Sequence, residues 1–342
     1  MTRMTTTTAT VTRTTATRTM TDAGPVRPKG AGDAVRALTR AGGVVGALGL
    51  GTLVYSNRVE LNRFTLRQVR ITVPHLPAEL RVLHISDIHY VRGQHRKLRW
   101  LQQLAELQPD LVINTGDNLS DARAVPEVLE ALGPLLRFPG CFVPGSNDYY
   151  APRFKNPLMY LKGPSTLHPS AESLPTEELF GGFEAAGWAN LSNAHSATRL
   201  NGLKVEFSGV DDPHLDLDEF SGWPSTDAQP EPPADLKIGV AHAPVVRVLE
   251  TFADSGADAV FAGHTHGGQV CLPAFDGSGG RALVTNCDLP AKYAKGLHTR
   301  RRADGGSTGV HVSAGIGTSA KAPVRLFCPP EASLVTISPT SE

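Results

Sequence analysis

Apolar residues fall along this chain in two rhythms. Short runs of apolar and β-compatible residues occur at Leu80 to Ser86 (LRVLHIS), Leu111 to Thr115, Cys141 to Pro144, Leu236 to Val240 and Ala259 to Ala262. Runs of that length, bounded by glycine and polar residues, predict buried strands. Between them Lys97 to Leu107, Val125 to Arg137, Thr176 to Ala186 and Val245 to Ser255 carry apolar residues at three- and four-residue spacing, which predicts helices. Alternating strands and helices predict an α/β fold. Residues 282–287, 309–314 and 332–338 also read as strands, enough with the others for two packed sheets. Residues 151–175 and 211–234 are rich in proline, serine and acidic side chains and predict long surface loops. Loops of that length usually serve function, so at least one is expected at the mouth of a site.

The N-terminal part follows neither rhythm. Residues 1–35 are threonine-rich and basic with few large apolar side chains. They cannot bury enough surface to offset ordering and predict a disordered tail. Residues 36–56 turn apolar and glycine-rich behind a basic flank of Arg27, Lys29, Arg36 and Arg40, the pattern of a membrane anchor. The unbroken apolar run, Ala41 to Tyr55, is shorter than the roughly 20 residues that span a bilayer, so a docked helix and a signal-like segment compete with an anchor. The basic excess ahead of the run would put residues 60–342 on the outer face, with a cytoplasmic, membrane-peripheral protein as the alternative.

Each predicted strand of the central region ends in a polar cluster. These are Asp87-Ile88-His89, Gly116-Asp117, Gly145-Ser146-Asn147-Asp148, Ala241-His242 and Gly263-His264-Thr265-His266. Open α/β sheets gather ligands at strand carboxyl ends, so residues spread over most of the chain converge. A single aspartate after a strand more often caps a turn. The set Asp87, His89, Asp117, Asn147, His242, His264 and His266 instead supplies carboxylate, amide and imidazole donors, which suit Mn, Fe, Zn or Mg. Two ions close together need a bridging carboxylate, and Asp117 is the candidate. In an extended segment Asp87 and His89 would face the same way; His264 and His266 would do likewise or split between the ions.

The rest of the composition narrows the chemistry. Cys141, Cys271, Cys287 and Cys328 lie far apart without a C-x-x-C pair, which argues against a thiolate zinc site and for buried apolar cysteines, with a disulfide as the alternative. Lysine plus arginine equal aspartate plus glutamate at 33 each, so nothing global favours a nucleic acid duplex. His84, inside an apolar strand, reads as a core histidine. His95, His168, His195, His298 and His311 have no motif around them and read as surface or structural residues. Arg300-Arg301-Arg302 reads as a solvated basic patch, with contact to anionic lipid as the sharper alternative.

Taken in order, Asp87-x-His89, Gly116-Asp117, Gly145-Ser146-Asn147-Asp148, His242 and Gly263-His264-x-His266 resemble the five-block signature of the calcineurin-like metallophosphoesterases. The resemblance spans roughly residues 80 to 338. The longer strings SDIH, NTGDN, GVDDPH and GHTHGGQ resemble its bacterial, membrane-associated branch, which includes UDP-2,3-diacylglucosamine pyrophosphohydrolase-like phosphodiesterases. The resemblance implies a four-layer αββα sandwich of two mixed sheets. It implies that Asp87, His89, Asp117 and His266 hold one divalent ion, and Asp117, the third-block asparagine, His242 and His264 a second. It also implies hydrolysis of a phosphate ester or anhydride, by in-line attack of a hydroxide bridging the ions.

The third block departs from the family's Gly-Asn-His-Asp or Gly-Asn-His-Glu. In gapless register Ser146 takes the place of the metal-binding asparagine and Asn147 that of the histidine acid. Either Asn147 shifts by one position and binds metal through its amide oxygen, or Ser146 and water fill the place. Without that histidine, phosphodiesters and diphosphates, whose leaving groups need less protonation, are favoured over alkyl monoesters. The expected substrate is a phosphate-containing small molecule or lipid headgroup; the competing expectation is a catalytically silent, membrane-tethered metal-binding module.

Overall fold

A computed structural model describes residues 31–153, 172–224, 233–274 and 280–340. Two six-stranded mixed sheets form its centre. In the first, the order is Thr65–Thr72, Glu331–Ser338, Leu80–Ile85, Leu111–Asn114, Gly140–Phe142 and Ala189–Asn190. All neighbours run parallel except Glu331–Ser338 against Leu80–Ile85. In the second, the order is Gly296–Arg301, Ser307–Val312, Ala259–Ala262, Leu236–Val240, Leu203–Gly209 and His195–Leu200, with antiparallel pairs only at the two edges.

Side-chain alternation along each strand assigns the layers. Leu80, Val82, Leu111, Ile113 and Val335 of the first sheet pack against Val205, Ile238, Val240 and Phe261 of the second. From the opposite face of the first sheet, Leu83, Ile85, Val112 and Phe142 meet helices His95–Gln103, Val125–Leu132 and Thr176–Ala185 through Leu101, Val128, Leu132 and Phe183. The outer face of the second sheet, through Val260, Val310 and Val312, meets helix Val246–Asp254 through Val248, Leu249 and Phe252. Helix, sheet, sheet and helix are thus stacked as expected. Central strands buried on both faces explain why the sequence runs are apolar without alternation.

Three expectations are corrected. Residues 283–287 are not a strand; Gly280–Ala282 pairs with Cys271–Pro273 in a two-stranded ribbon, after which the chain bends so that the Asn286 carbonyl reaches His264. The apolar character of 283–287 finds no sheet, and Leu283 stays exposed. The apolar segment is not too short to span a bilayer: a helix covers Ala31–Val54, and Arg36–Asn62 is long and apolar enough to cross a membrane. Flanking glycines and polar residues, admitted by the helix, add the missing length. The disulfide alternative also falls, since all four cysteines are free.

The chain divides into two compact units, Met1–Leu50 and Gly51–Glu342. The expectation of a disordered tail falls mostly on residues 1–30, outside the described residues, as do residues 154–171 and 225–232 of the two expected surface loops. In the first unit, Leu38, Val44, Val45 and Leu48 are exposed along the helix. In the second, the chain leaves the helix through turns Tyr55–Val59 and Glu60–Asn62 and enters the first sheet at Thr65.

Candidate metal centre

Five loops leave the carboxyl ends of strands Leu80–Ile85, Leu111–Asn114, Gly140–Phe142, Leu236–Val240 and Ala259–Ala262, and their polar residues meet. Asp87, His89 and His266 present ligand atoms within 4.8 Å of one another, and so do Asp87, Asp117 and His242. The loops are laced by main-chain bonds. The Asp87 N–H donates to the Gly116 carbonyl at 2.9 Å, the His89 N–H to the Asp117 carbonyl at 2.9 Å, and the Gly263 N–H to the His242 carbonyl at 2.8 Å.

The backbone reaches this arrangement through left-handed conformations. Asp87, His89, Asp117, His264 and His266 have φ of 50°, 43°, 56°, 67° and 49°. Residues with side chains seldom adopt such angles, and where they do the site commonly has a functional role. This corrects the expectation that Asp87 and His89 face one way because the segment is extended. They converge because the chain coils at both positions. Gly116, at φ 87°, passes so close to the third loop that a Cβ there would stand 2.7 Å from the Pro144 carbonyl carbon.

Imidazole nitrogens face each other in two pairs. His89 Nε2 lies 3.2 Å from His266 Nε2, and His242 Nε2 lies 3.3 Å from His264 Nδ1. The Oδ2 atom of Asp117 stands between the pairs, 3.4 Å from His89 Nε2 and 3.5 Å from His242 Nε2. Asp87 Oδ1 lies 3.8 Å from His266 Nε2. The opposite ring atoms fix the tautomers: His242 Nδ1 faces the Thr115 carbonyl at 2.6 Å and His264 Nε2 the Asn286 carbonyl at 3.1 Å, so both must donate there. His242 Nε2 and His264 Nδ1 are left facing each other. Two nitrogens each about 2.1 Å from one cation would stand roughly 3.2 Å apart, so the donor set fits divalent ions, with Asp117 placed to bridge.

Electrostatics point the same way. Burial lowers the pKa of His89 and His266 to about 4, with Asp117 and Asp87 only partly opposing, so both rings are neutral donors. His264 is likewise held well below its ordinary value by burial and by His214 and His242. Burial disfavours ionisation of Asp117, but His242, His89 and the Asn147 N–H outweigh it and keep the carboxylate charged. At His242 burial is outweighed by Asp117, Asp212 and Asp87, and its pKa rises well above normal. The field that favours a proton at His242 Nε2 also favours a cation there.

In the third loop Ser146 and Asn147 open a four-residue helix, Ser146–Tyr149. The Asn147 N–H donates to Asp117 Oδ1 at 2.6 Å and its side-chain amide N–H to the Tyr150 carbonyl at 2.9 Å. Asn147 therefore borders the site, beside the carboxylate in the bridging position.

Sequence reasoning passed over several supporting residues. Asp148, fully buried, accepts from the N–H groups of Asp117, Asn118 and Gly145 at 2.8, 2.8 and 3.0 Å. Its pKa is pushed up to about 6 by burial and by Asp117. Arg325, also fully buried, donates to the carbonyls of Ala314, Gly315 and Gly317, and the Gly317 N–H holds the Asp87 carbonyl at 2.6 Å. Asp148 stood inside the third polar cluster without an assigned role, whereas nothing in the local sequence distinguishes Arg325. Asp211-Asp212-Pro213-His214, at the start of the loop expected over residues 211–234, packs beside the site. Tyr149 donates to Asp211 and the His214 ring packs 4.6 Å from His264. Burial raises Asp212 to about 7. His84 is a buried core histidine, as read, and His311, also buried, is its partner at 2.9 Å.

Known proteins share parts of this sequence. Residues 80–268 match the calcineurin-like phosphoesterase family. The chain is similar to the uncharacterized protein YpbG of Bacillus subtilis (strain 168), 27% identical over 286 residues, covering 82% of this chain and 88% of that one. It is also similar to the uncharacterized metallophosphoesterase YkuE of the same organism, 26% identical over 319 residues, covering 90% and 94%. Among solved structures, the 5'-nucleotidase precursor from Thermus thermophilus aligns at 14% identity with a TM-score of 0.40, over 76% of this chain and 55% of that one.

Proposed function

The chain belongs to the calcineurin-like phosphoesterase family and is a metal-dependent hydrolase of phosphoric esters, and from that premise we propose that it cleaves a phosphodiester or phosphoanhydride at a centre of two divalent ions. The observation that carries this reading is the placement of Asp117 Oδ2 between two facing imidazole pairs. Asp87, His89, His266 and Asp117 would hold one ion, and Asp117, His242, His264 and Asn147 the other. When bound, two such ions lower the pKa of a shared water, supply an attacking hydroxide and offset charge on the phosphoryl oxygens.

The chain's own groups set the conditions for this chemistry. Ser86 donates to Asp87 Oδ2 at 2.5 Å and the His264 N–H to the same carboxylate at 3.0 Å, which fixes its direction. Outer bonds of this kind orient ligands and tune their basicity. No histidine acid stands in the third loop, so a leaving group that is stable as an anion is favoured over an alkoxide. The substrate class that follows is a diester or diphosphate, as a soluble small molecule or a lipid headgroup. The strings SDIH, NTGDN, GVDDPH and GHTHGGQ support placement in the membrane-associated branch with UDP-2,3-diacylglucosamine pyrophosphohydrolase-like enzymes. The helix that is long and apolar enough to span a bilayer supports anchoring. The basic residues before it support a catalytic domain on the outer face.

The test is hydrolysis of bis-p-nitrophenyl phosphate after metal removal and readdition of Mn, Zn, Fe or Mg, with Asp117→Ala alongside. We expect metal-dependent turnover that exceeds turnover of alkyl monoesters, reduced more than about 100-fold by the substitution, beyond the usual effect of losing an outer partner. Metal uptake without turnover would instead support a silent metal-binding module.

A further inference from the structure

Three consecutive carbonyls form a platform under the metal loops. That of Thr115 accepts from His242 Nδ1 at 2.6 Å, that of Gly116 from the Asp87 N–H at 2.9 Å, and that of Asp117 from the His89 N–H at 2.9 Å. Gly116 and Asp117 are left-handed, at φ 87° and 56°, and for a residue with a side chain that conformation persists only where the surroundings enforce it. The Gly116 N–H is held by Asn114 Oδ1 at 3.0 Å and the Asp117 N–H by Asp148 Oδ2 at 2.8 Å. Thr115 is held through its side chain: the hydroxyl meets His84 Nε2 at 3.0 Å, and both residues are fully buried.

His84 in turn reaches the second sheet. Strand alternation puts it on the same face as Leu80 and Val82, between the sheets. There its Nδ1 lies 2.9 Å from Nδ1 of His311, on strand Ser307–Val312. Phe261, also of the second sheet, packs edge-on against the His84 ring with centroids 5.3 Å apart. Burial holds both histidines below their ordinary pKa, His311 at about 4, so each ring is neutral and carries one N–H. Two proton arrangements then complete the chain. Either His84 Nδ1–H donates to His311 and the Thr115 hydroxyl donates to His84 Nε2, or His311 Nδ1–H donates to His84 and His84 Nε2–H donates to Thr115 Oγ1.

Apolar residues of the same shape would stabilise this interface about as well, so stability alone does not account for a histidine pair inside it. Direction does. His242 follows strand Leu236–Val240 of the second sheet, whereas the carbonyl that orients it follows strand Leu111–Asn114 of the first. The aim of its ring therefore depends on how the two sheets are set against each other. Apolar packing is non-directional; a hydrogen-bonded pair across the interface is not. We propose that His84 and His311 are positioning residues for the metal centre, tying the second sheet to Thr115 and so setting the carbonyl that aims His242. The proposal rests on the reading of His242 as a metal ligand. A carbonyl on the far nitrogen of a ligating histidine fixes its tautomer and ring direction, and the histidine pair acts one step behind that carbonyl.

The experiment titrates Mn(II) into the metal-free full chain by calorimetry and follows hydrolysis of bis-p-nitrophenyl phosphate at saturating Mn(II). Thr115→Val keeps the shape of the side chain and removes its hydroxyl. We expect it to weaken one of two metal equivalents about tenfold, leave the other within about twofold, and lower kcat about tenfold with KM within about twofold. Thr115→Ser, which restores the hydroxyl, should recover affinity and kcat together. His84→Leu should match Thr115→Val, and the double variant should be no worse than the worse single one, since both remove the same bond. The Thr115 variants carry the test by themselves should His84→Leu not fold. Wild-type behaviour in Thr115→Val, equal weakening of both equivalents, no recovery in Thr115→Ser, or additive losses in the double variant would each overturn the proposal and leave the reading of the metal centre intact. A wild-type chain that takes up no Mn(II) would overturn that reading and this proposal with it.

Discussion

Asp148 shows how much of a metal centre rests on a residue that would touch no metal. Its carboxylate collects three buried N–H groups from the second and third loops, including that of Asp117, the residue in the bridging position. Asp148→Ala would leave those donors unpaired, at about 1–3 kcal/mol for a buried orphan. We expect metal affinity to fall about 10–100-fold with a lower melting temperature, measured by calorimetric titration and thermal denaturation. A variant that keeps wild-type affinity would remove Asp148 from this role. A second prediction concerns the buried pair His84 and His311. Burial holds His311 at about 4, below the 6.5 of an unfolded histidine. Between those values the unfolded chain binds the extra proton, so stability contributed by neutral His311 is present above pH 6.5 and is lost as pH falls towards 4. The loss is on the order of 3 kcal/mol. In His311→Asn the gap in melting temperature to the wild type should narrow from pH 7 to pH 5; a gap that does not change with pH would refute the assignment.

At the scale of elements, each loop serves a pair of neighbours. The loop after Leu80–Ile85 is bonded to the loop after Leu111–Asn114, and the latter to the short helix Ser146–Tyr149 through Asp117 and Asn147. That helix carries the departure from the family pattern. If Asn147 supplies the amide ligand, Asn147→Ala should lower the affinity of one of two metal equivalents while Ser146→Ala leaves both. Metal content by mass spectrometry and titration separates them. The reverse pattern would assign the position to Ser146. The five strand exits were legible in the sequence because a fully apolar strand that stops at a polar residue is a local signal. The strand Thr65–Thr72 was not read, because its mostly half-exposed TLRQVRIT lacks an apolar run and is held by pairing with Glu331–Ser338, more than 250 residues away. Residues 283–287 failed for the converse reason: apolar character without a neighbouring strand to pair with.

On the scale of the whole molecule, the candidate span and the phosphoesterase fold meet within the second unit. The Cys328 N–H donates to Glu60 Oε1 at 2.6 Å and the Arg325 N–H to the Ser56 carbonyl at 3.2 Å. Glu60 and Ser56 are buried, so the turns after the helix belong to the fold. A chain starting at Gly51 should therefore melt higher than one starting at Arg63. With about 1.5–3 kcal/mol for a buried charged hydrogen bond, the difference should be several degrees. Equal melting temperatures would mean that the domain begins after the turns, close to the residue 60 boundary expected from composition.

The sequence by itself determined which chemistry was available: carboxylates and imidazoles at five strand ends, a glycine-bounded spacing that matches one family, and an apolar segment ahead of the domain. Those are properties of neighbouring residues, and periodicity and chain chemistry record them directly. The tertiary structure decided how the residues meet. Left-handed turns at Asp87, His89, Asp117, His264 and His266, the N–H groups gathered by Asp148, the carbonyls gathered by buried Arg325, and the hydrogen bonds that run from His311 through His84 to Thr115 all depend on partners remote in the chain. Backbone strain and buried hydrogen bonds are sustained only by surroundings that over-determine them, and those surroundings exist only once the sheets have packed.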